Sequence, residues 1–136
     1  MIKEIKVREI KDHQVEGAET SLAIMVMDEP GAGGAHHRYD IIGLNINSNK
    51  SRTMDAGPVI IELLFQNGTI TENGVNGLTQ EALLAINIDR LRCFQAGPFA
   101  SPDNQEALEY MEKALECLHR RTKNRLARNV EGKHEA

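Results

Sequence analysis

The last third of the chain constrains the fold most, because residues 101–128 have the apolar spacing of one long amphipathic helix. Four apolar residues recur there at intervals of three or four positions: Leu108, Met111, Leu115 and Leu118. This spacing aligns them on one helical face. Ser101-Pro102 predicts the start of the helix, as an N-cap followed by proline at the first helical position. The helix should be about 27 residues long, or roughly 40 Å.

A shorter helix of about 18 residues should come before it. Thr79 is the expected N-cap, and Gly97-Pro98 should end the helix. Leu84, Ile88 and Leu91 lie four and then three positions apart and form its apolar face. Because the connection between the helices is short, we expect an antiparallel helical hairpin over residues 79–129, followed by a tail at 130–136.

The first half of the chain has the composition of β-strands. Four short segments are rich in strand-forming residues: Ile2 to Val7, Leu22 to Met27, Tyr39 to Leu44, and Val59 to Phe65. Loops with glycine or polar residues separate them, at 28–34 and 45–57. We therefore predict a small antiparallel sheet over 1–66 and a turn-rich connection over 67–78, where three Asn-Gly pairs occur. The fold class is α+β.

The two predicted helices differ in length, so the longer one cannot be covered by its partner alone. Two helices with apolar faces also bury too little surface to be stable by themselves. The hairpin should therefore pack on the sheet, on another subunit, or on both. We therefore predict a homo-oligomer, which could be a dimer or a hexamer.

Composition indicates a soluble, cytoplasmic protein. Apolar residues make up 40% of the chain and charged residues 26%, which argues against global disorder. The sequence has no apolar run near the roughly 20 residues that cross a bilayer, and its start has no signal-peptide pattern. Cys93 and Cys117 fit the cytoplasm as free thiols, and we expect both to be buried in the helices.

The end of the long helix is strongly basic. Residues 118–128 contain five Lys or Arg and no acid, whereas the whole chain has 16 basic and 20 acidic residues. Arg121, Arg125 and Arg128 are spaced to share a face, and Thr122 adds a hydroxyl beside Arg125. Guanidinium groups bind phosphate oxygens in pairs, so this cluster suggests an anion ligand. The alternative is a solvated helix end whose cations are favoured by the helix dipole.

Two further features could form a nucleotide site. Phe65 ends a strand and Asn76 lies in a turn flanked by glycines. An aromatic ring and a side-chain amide could stack on a purine and bind its edge, although a core Phe and a turn Asn are the simpler explanation of these two residues taken alone. Arg90 and Arg92 on the shorter helix point about 200° apart, so at most one can face a given pocket.

Catalytic and metal-site patterns are missing from the sequence. The adjacent His36 and His37 should face opposite sides of a strand, which makes a poor metal site. There is no HExxH, CxxC or Walker pattern, and no nucleophile–base–acid set stands out. We therefore expect no metal and no cofactor, and the sequence offers no convincing catalytic set.

Several motifs along residues 65–132 together resemble one family. They are Phe65-Gln66-x-Gly68, Gly74-Val75-Asn76-Gly77, Ala85-Ile86-x-Ile88-Asp89-Arg90-Leu91, Phe94-Gln95-Ala96-Gly97-Pro98-Phe99, Arg121-Thr122-x-x-Arg125 and Val130-Glu131-Gly132. They resemble the helical hairpin domain of phage anti-defence sponge proteins, and more specifically the Thoeris anti-defence sponge family. The anti-CBASS cyclic-nucleotide sponge is similar in its hairpin and lacks the N-terminal sheet. Residues 1–64 match by layout only.

The resemblance implies non-catalytic capture of an immune signal in the host bacterial cytoplasm. Members of this family hold glycocyclic ADP-ribose at a subunit interface, and some also form hexamers that hold cyclic di- or trinucleotides. On matching positions, Phe65 and Asn76 would form the ADP-ribose pocket, with Arg90 or Arg92 beside it. Arg121, Thr122 and Arg125 would contact phosphates, in this pocket or in the one for cyclic oligonucleotides.

Two other function classes stay open from the residues alone. A basic helical nucleic-acid-binding module would use the same helix end, but that helix has no interleaved aromatic residues and the chain has a net charge of −4. An enzyme that degrades cyclic nucleotides would need a general base beside the arginines. His119 lies about 100° around the helix from Arg120. The other histidines have no evident partner in the sequence: His13, His36, His37 and His134.

Overall fold

The chain divides into two compact units, a sheet unit (Met1–Asn67) and a helical unit (Gly68–Ala136). The computed structural model describes residues 7–18, 21–52 and 60–128. The predicted extended segment at Ile2 and Ile5 and the predicted tail at 130–136 lie outside these residues. Within them, an antiparallel sheet is followed by helices, so the predicted α+β order is confirmed.

The sheet unit contains four antiparallel strands in sequence order: β1 (Arg8–Ile10), β2 (Ala23–Val26), β3 (Arg38–Ile42) and β4 (Ile61–Leu64). The last three coincide with predicted apolar segments. The first begins at Arg8, beyond the predicted segment, because β1 pairs with β2 through Arg8–Val26, Glu9–Met25 and Ile10–Ile24. Long-range pairing of this kind leaves no trace in a local apolar pattern.

The strand register determines which side chains share each face of the sheet. Val26 lies opposite Tyr39, and Tyr39 lies opposite Leu63, so the three share one face. Val26 is 1% exposed and is the largest fully buried side chain described. Asp40 lies opposite Glu62 on the other face. Met25 lies opposite Asp40, and Asp40 itself is only 6% exposed, so this second face combines apolar and buried polar groups.

Gly43 fixes the turn that follows β3. Its φ is 87°, a left-handed value that favours glycine. A Cβ atom at this position would come within 1.8 Å of the Ser21 carbonyl oxygen, so any other residue would have to move the backbone. The Ser21 hydroxyl donates to the Gly43 carbonyl at 2.6 Å and closes the contact.

The helical unit contains a one-turn helix α1 (Ile70–Asn73) and the two helices of the hairpin, α2 (Gln80–Gln95) and α3 (Pro102–Ala127). The predicted caps are confirmed. The Thr79 hydroxyl accepts from the Ala82 N–H at 3.2 Å, and the Ser101 hydroxyl accepts from the Asn104 N–H at 3.1 Å, with Pro102 opening α3. The α2 helix has 16 residues and α3 has 26, close to the predicted lengths.

The hairpin turn is held by Gln95 at the end of α2. Its side-chain oxygen accepts from the Ser101 N–H at 2.9 Å, and its amide donates to the Ser101 carbonyl at 3.1 Å. The same amide lies 3.3 Å from the Gln105 side-chain oxygen. Because the end of α2 contacts the start of α3, the two helices run antiparallel, as predicted.

The two helices meet along a seam with coiled-coil spacing. Most residues that are not exposed recur at intervals of three and four: Glu81, Leu84, Ile88, Leu91 and Gln95 on α2, and Asn104, Leu108, Met111, Leu115, Leu118, Thr122 and Arg125 on α3. Ala82, Leu83 and Ala107, which flank these positions, are also half-buried. Ile88 and Leu108 are buried, at 2% and 6% exposure. The predicted apolar stripe on each helix is therefore confirmed.

Two details of the helical unit differ from the predictions. The turn-rich connection contains the one-turn helix α1, whose N-cap Thr69 accepts from the Glu72 N–H at 3.3 Å. The expectation of buried thiols is wrong, because Cys93 and Cys117 are free but exposed. Each lies two positions after a seam leucine, and two helical positions rotate a side chain about 200°, away from the seam.

No helix in the described part of the chain combines the length and the apolar character that crossing a membrane requires.

Candidate functional site

The basic end of α3 has two kinds of positions. Arg121 and Arg128 are exposed, whereas Thr122 is half-buried and Arg125 is 8% exposed. Thr122 and Arg125 follow Leu118 at intervals of four and three, so they continue the seam. The three arginines predicted to share a face therefore differ in exposure, because Arg125 is buried while Arg121 and Arg128 are exposed.

Arg90 and Arg92 lie on different sides of α2, in agreement with their predicted angular separation. The Arg90 guanidinium carbon is 5.8 Å from the centre of the Phe94 ring, a cation–π distance. Arg92 instead reaches α3, where its Nη2 lies 3.3 Å from Glu112 Oε2. Only Arg92 therefore takes part in a contact between the two helices.

Phe65 lies at the end of β4 in the sheet unit and is half-buried. Its backbone N–H donates to the His37 carbonyl at 2.8 Å. Its ring meets the Tyr39 ring edge-on, with centroids 5.7 Å apart and planes at 83°. Such pairs fix the orientation of both rings. The sequence places Tyr39 at the start of a predicted strand but does not indicate its contact with Phe65, which depends on the pairing of β3 with β4.

Asn76 is exposed and lies between α1 and α2, in the helical unit. The Gly74 φ of 69° just before it is left-handed, in keeping with the predicted turn.

Asp28 organises the polar end of the sheet unit. Its carboxylate accepts from the backbone N–H groups of His37 at 2.9 Å and Arg38 at 3.2 Å. Desolvation alone would raise the pKa of Asp28, but these two hydrogen bonds and the nearby histidines lower it below the usual 3.8. Arg38 in turn binds the Asp40 carboxylate with two nitrogens, each at 3.2 Å, and this contact raises the pKa of Arg38.

The Gly-rich loop packs against the buried His37. The Gly31 N–H donates to the Ala35 carbonyl at 2.8 Å, which closes the loop. A Cβ atom on Gly31 would lie 3.2 Å from His37 Nδ1, so glycine permits this close approach. The loop therefore has a packing role in the sheet unit.

A groove of about 450 Å³ runs between α2 and α3. The apolar side chains of Ile88 and Leu115 line it, together with Arg92, Arg120 and Lys123. Glu112 and Glu116 contribute the acidic groups. Of the residues predicted to bind a ligand, only Arg92 lines this groove. The other lining residues could not be identified from the sequence, because a groove across two helices depends on the register of the hairpin, which sequence spacing does not fix.

The described ranges 7–18, 21–52 and 60–128 contain no group of three His, Cys, Asp or Glu side chains that could hold a metal ion.

Comparisons with known proteins agree with the resemblance found in the sequence. Residues 58–123 match the family model described as Acb2/Tad1, hairpin domain. The match extends from the last strand of the sheet through most of α3 and ends two residues before Arg125. The chain is also similar to the protein named Thoeris anti-defense 1 of Bacillus phage SBSphiJ7, with 40% identity over 89 residues. That alignment covers 65% of this chain and 63% of the relative, which is less than two thirds of its length.

Proposed function

We propose that the chain belongs to the Acb2/Tad1 hairpin family, whose model its residues 58–123 match, and that it inhibits the bacterial Thoeris defence. Its mode of action is capture of the signalling nucleotide, glycocyclic ADP-ribose, without chemical change. The observation that carries the proposal is the 40% identity to a phage protein named Thoeris anti-defense 1. Because the alignment covers 63% of that relative, ligand, mechanism and assembly are all proposals for this chain.

The proposed ligand contacts use two kinds of side chain. Phe65 would stack on the adenine, and Tyr39 supports its ring through their edge-on contact at 5.7 Å. Asn76 would bind the edge of the base, with Arg90 or Arg92 beside the pyrophosphate. Arg121, Thr122 and Arg125 would bind phosphates through charge-assisted hydrogen bonds.

Capture acts by mass action, so the protein needs affinity rather than turnover. A nanomolar dissociation constant corresponds to about −12 kcal/mol of binding free energy. Arginine–phosphate pairs, a stacked purine and burial of most of the ligand surface can together supply such a value. An interface pocket would also couple ligand binding to assembly.

Assembly with a second copy is part of the proposal. Ile86 and Phe94 on α2 and Tyr110 on α3 are 57%, 41% and 63% exposed. Large exposed apolar side chains on a helical hairpin are typical of interaction surfaces. Light scattering should give a mass above the monomer's 15.1 kDa. Ile86→Ser with Tyr110→Ser should lower the mass, whereas Val75→Ser, at a 79% exposed position outside the helices, should not.

The deciding experiment incubates the purified protein with glycocyclic ADP-ribose, removes the protein by filtration, and then releases bound ligand by heating. The proposal requires ligand to leave the filtrate and to return unaltered. Ligand that returns altered would make the protein an enzyme. Ligand that stays free would overturn the assignment. Cyclic di- and trinucleotides run in parallel would test the wider specificity, and a salt titration with single-stranded RNA would test the nucleic-acid alternative.

Matched variants test the residues. Phe65→Ala should weaken binding by about tenfold or more, because a stacked base contributes roughly 1–3 kcal/mol. Phe99→Ala is its control, since Phe99 is 75% exposed. Phe65→Leu keeps the apolar volume and separates lost stacking from a damaged sheet. Arg121→Ala should weaken binding while Lys113→Ala does not, and equal losses would argue against a specific role for Arg121.

A further inference from the structure

We propose that the groove between α2 and α3 is a separate binding site for a phosphate monoester that carries an apolar or aromatic group, such as a nucleoside monophosphate. Arg92 lines the groove and is also one of the two arginines proposed beside the pyrophosphate of the cyclic signal. The two sites share at most this residue, because the groove lining does not include Phe65, Asn76, Arg121, Thr122 or Arg125. The inference does not depend on the sequestration function.

The size and lining of the groove suit a small molecule. Its volume of about 450 Å³ lies within the range of roughly 300–1,000 Å³ that is usual for ligand sites. The half-buried Leu115 provides the accessible apolar surface, beside Ile88, which lines the groove but is only 2% exposed. Such a surface can take a sugar or a base, whereas a simple inorganic ion would leave it uncovered.

The charged groups of the groove favour an anion. Three strong cations, Arg92, Arg120 and Lys123, line it with two carboxylates, Glu112 and Glu116. Arg92 is already neutralised by Glu112, at 3.3 Å. Within the described residues, no ion pair joins Arg120 or Lys123 to a carboxylate. These two cations are therefore available to a phosphate.

The contact that Arg120 does make is a weak one. Its Nη2 donates to the thiol of Cys117 at 3.2 Å. A thiol is a poor acceptor, so exchanging it for a phosphate oxygen would strengthen the hydrogen bond. Lys123 lies three positions after Arg120 and thus on the same side of α3. The two side chains form a basic pair at one end of an apolar surface, which is the arrangement a phosphate monoester needs.

The test titrates the full chain with adenosine monophosphate and, separately, with inorganic phosphate, following the methyl signals of Ile88 and Leu115 by NMR. Saturable shifts with adenosine monophosphate, and binding at least about fivefold weaker with inorganic phosphate, are expected from the apolar contacts. Binding of both with equal strength would overturn the assignment of an apolar group. No saturable shift with either would overturn the site.

Two variants should change the affinity for adenosine monophosphate in opposite directions. Lys123→Ala should weaken binding by about tenfold, because it removes a charge-assisted contact. Glu112→Gln should strengthen it a few-fold, because Arg92 is released and a negative charge is removed. Lys113→Ala removes the same charge from an exposed position of α3 that does not line the groove, and should stay within about twofold. Equal losses in Lys123→Ala and Lys113→Ala, or weaker binding by Glu112→Gln, would contradict the proposal.

Discussion

The sheet unit and the helical unit are stabilised by different means. The helical unit relies on a periodic apolar seam, with Ile88 and Leu108 buried along it. The sheet unit has short strands and buries Val26, but several of its buried groups are polar, among them His37 and Asp40. Its loops are held by side-chain-to-backbone hydrogen bonds. The helical unit is therefore stabilised by a repeated local pattern, whereas the sheet unit depends on particular polar contacts.

The largest expected effect concerns the seam. Leu108→Ala removes a buried side chain, leaves a cavity, and should lower the free energy of unfolding by about 2–5 kcal/mol. Leu126→Ala is the matched control, because it makes the same change on the same helix at a 61% exposed position. It should stay within about 0.5 kcal/mol. Urea denaturation followed by helical circular dichroism measures both. Similar losses would show that the seam does not dominate the helical unit.

The corresponding polar contact in the sheet unit is Asp28. Asp28→Ala leaves the backbone N–H groups of His37 and Arg38 without their carboxylate acceptor and should cost roughly 1–2 kcal/mol. Glu29→Ala changes the neighbouring exposed carboxylate and is the control. Hydrogen exchange of amides in β2 and β3 gives the local effect. If Asp28→Ala were as mild as Glu29→Ala, the polar network would not support the sheet.

Lowering the pH should reproduce part of the destabilisation that Asp28→Ala causes. The folded-state pKa of Asp28 lies below its ordinary value of 3.8, so the native state favours the charged form. Its contribution is fully present above the unfolded-state pKa and is lost as the pH falls from about 4 through the lower folded-state pKa. The wild type should therefore lose more sheet protection below pH 4 than Asp28→Asn does. Parallel acid profiles for the two proteins would exclude this role.

More of the helical unit than of the sheet unit could be predicted from the sequence, because the helices carry local signals and the sheet depends on long-range contacts. The helices were predictable because Leu108, Leu115 and the caps Thr79 and Ser101 carry local signals, confirmed in place. The start of β1 was not, because its position depends on pairing with β2. The contacts of Asp28 join positions nine and ten residues away, across a glycine-rich loop, and no local pattern encodes them.

The residues of the candidate sites could also be predicted only in part from the sequence. The basic residues of α3 stand out in the sequence, yet which of them face the seam follows only from the register of the hairpin. Arg125 continues the seam, and Arg120 and Lys123 line the groove with Arg92 of the other helix. Composition therefore identifies a basic helix end, whereas the positions of its cations on the seam or in the groove follow only from the packed structure.

A smaller effect is expected at the start of α3. Ser101→Ala removes the side-chain acceptor of the Asn104 N–H and should cost about 1 kcal/mol. The Gln95 contacts to the Ser101 backbone should survive, because they do not use its hydroxyl. Ser101→Asp restores an N-cap acceptor and should recover most of the lost stability. A rescue that fails in denaturation experiments would mean that the serine acts by something other than capping.

The smallest effect is expected where the helical unit uses a polar contact of its own. Arg92 and Glu112 are joined at 3.3 Å, but their side chains are 61% and 44% exposed. Water screens such a pair, and holding two long side chains costs entropy, so the coupling free energy should be about 0.2–0.5 kcal/mol. A double-mutant cycle with Arg92→Ala and Glu112→Ala measures it, and added salt should reduce it further.

A coupling well above about 1 kcal/mol would mean that the hairpin depends on a specific charge pair, as the sheet unit depends on Asp28, and the two units would then not differ in this respect. A weak coupling has a second consequence. The Arg92 guanidinium could then leave Glu112 at little cost and turn toward an anion in the groove. The weakness of this ion pair and the binding capacity proposed for the groove are thus two results of the same exposed geometry.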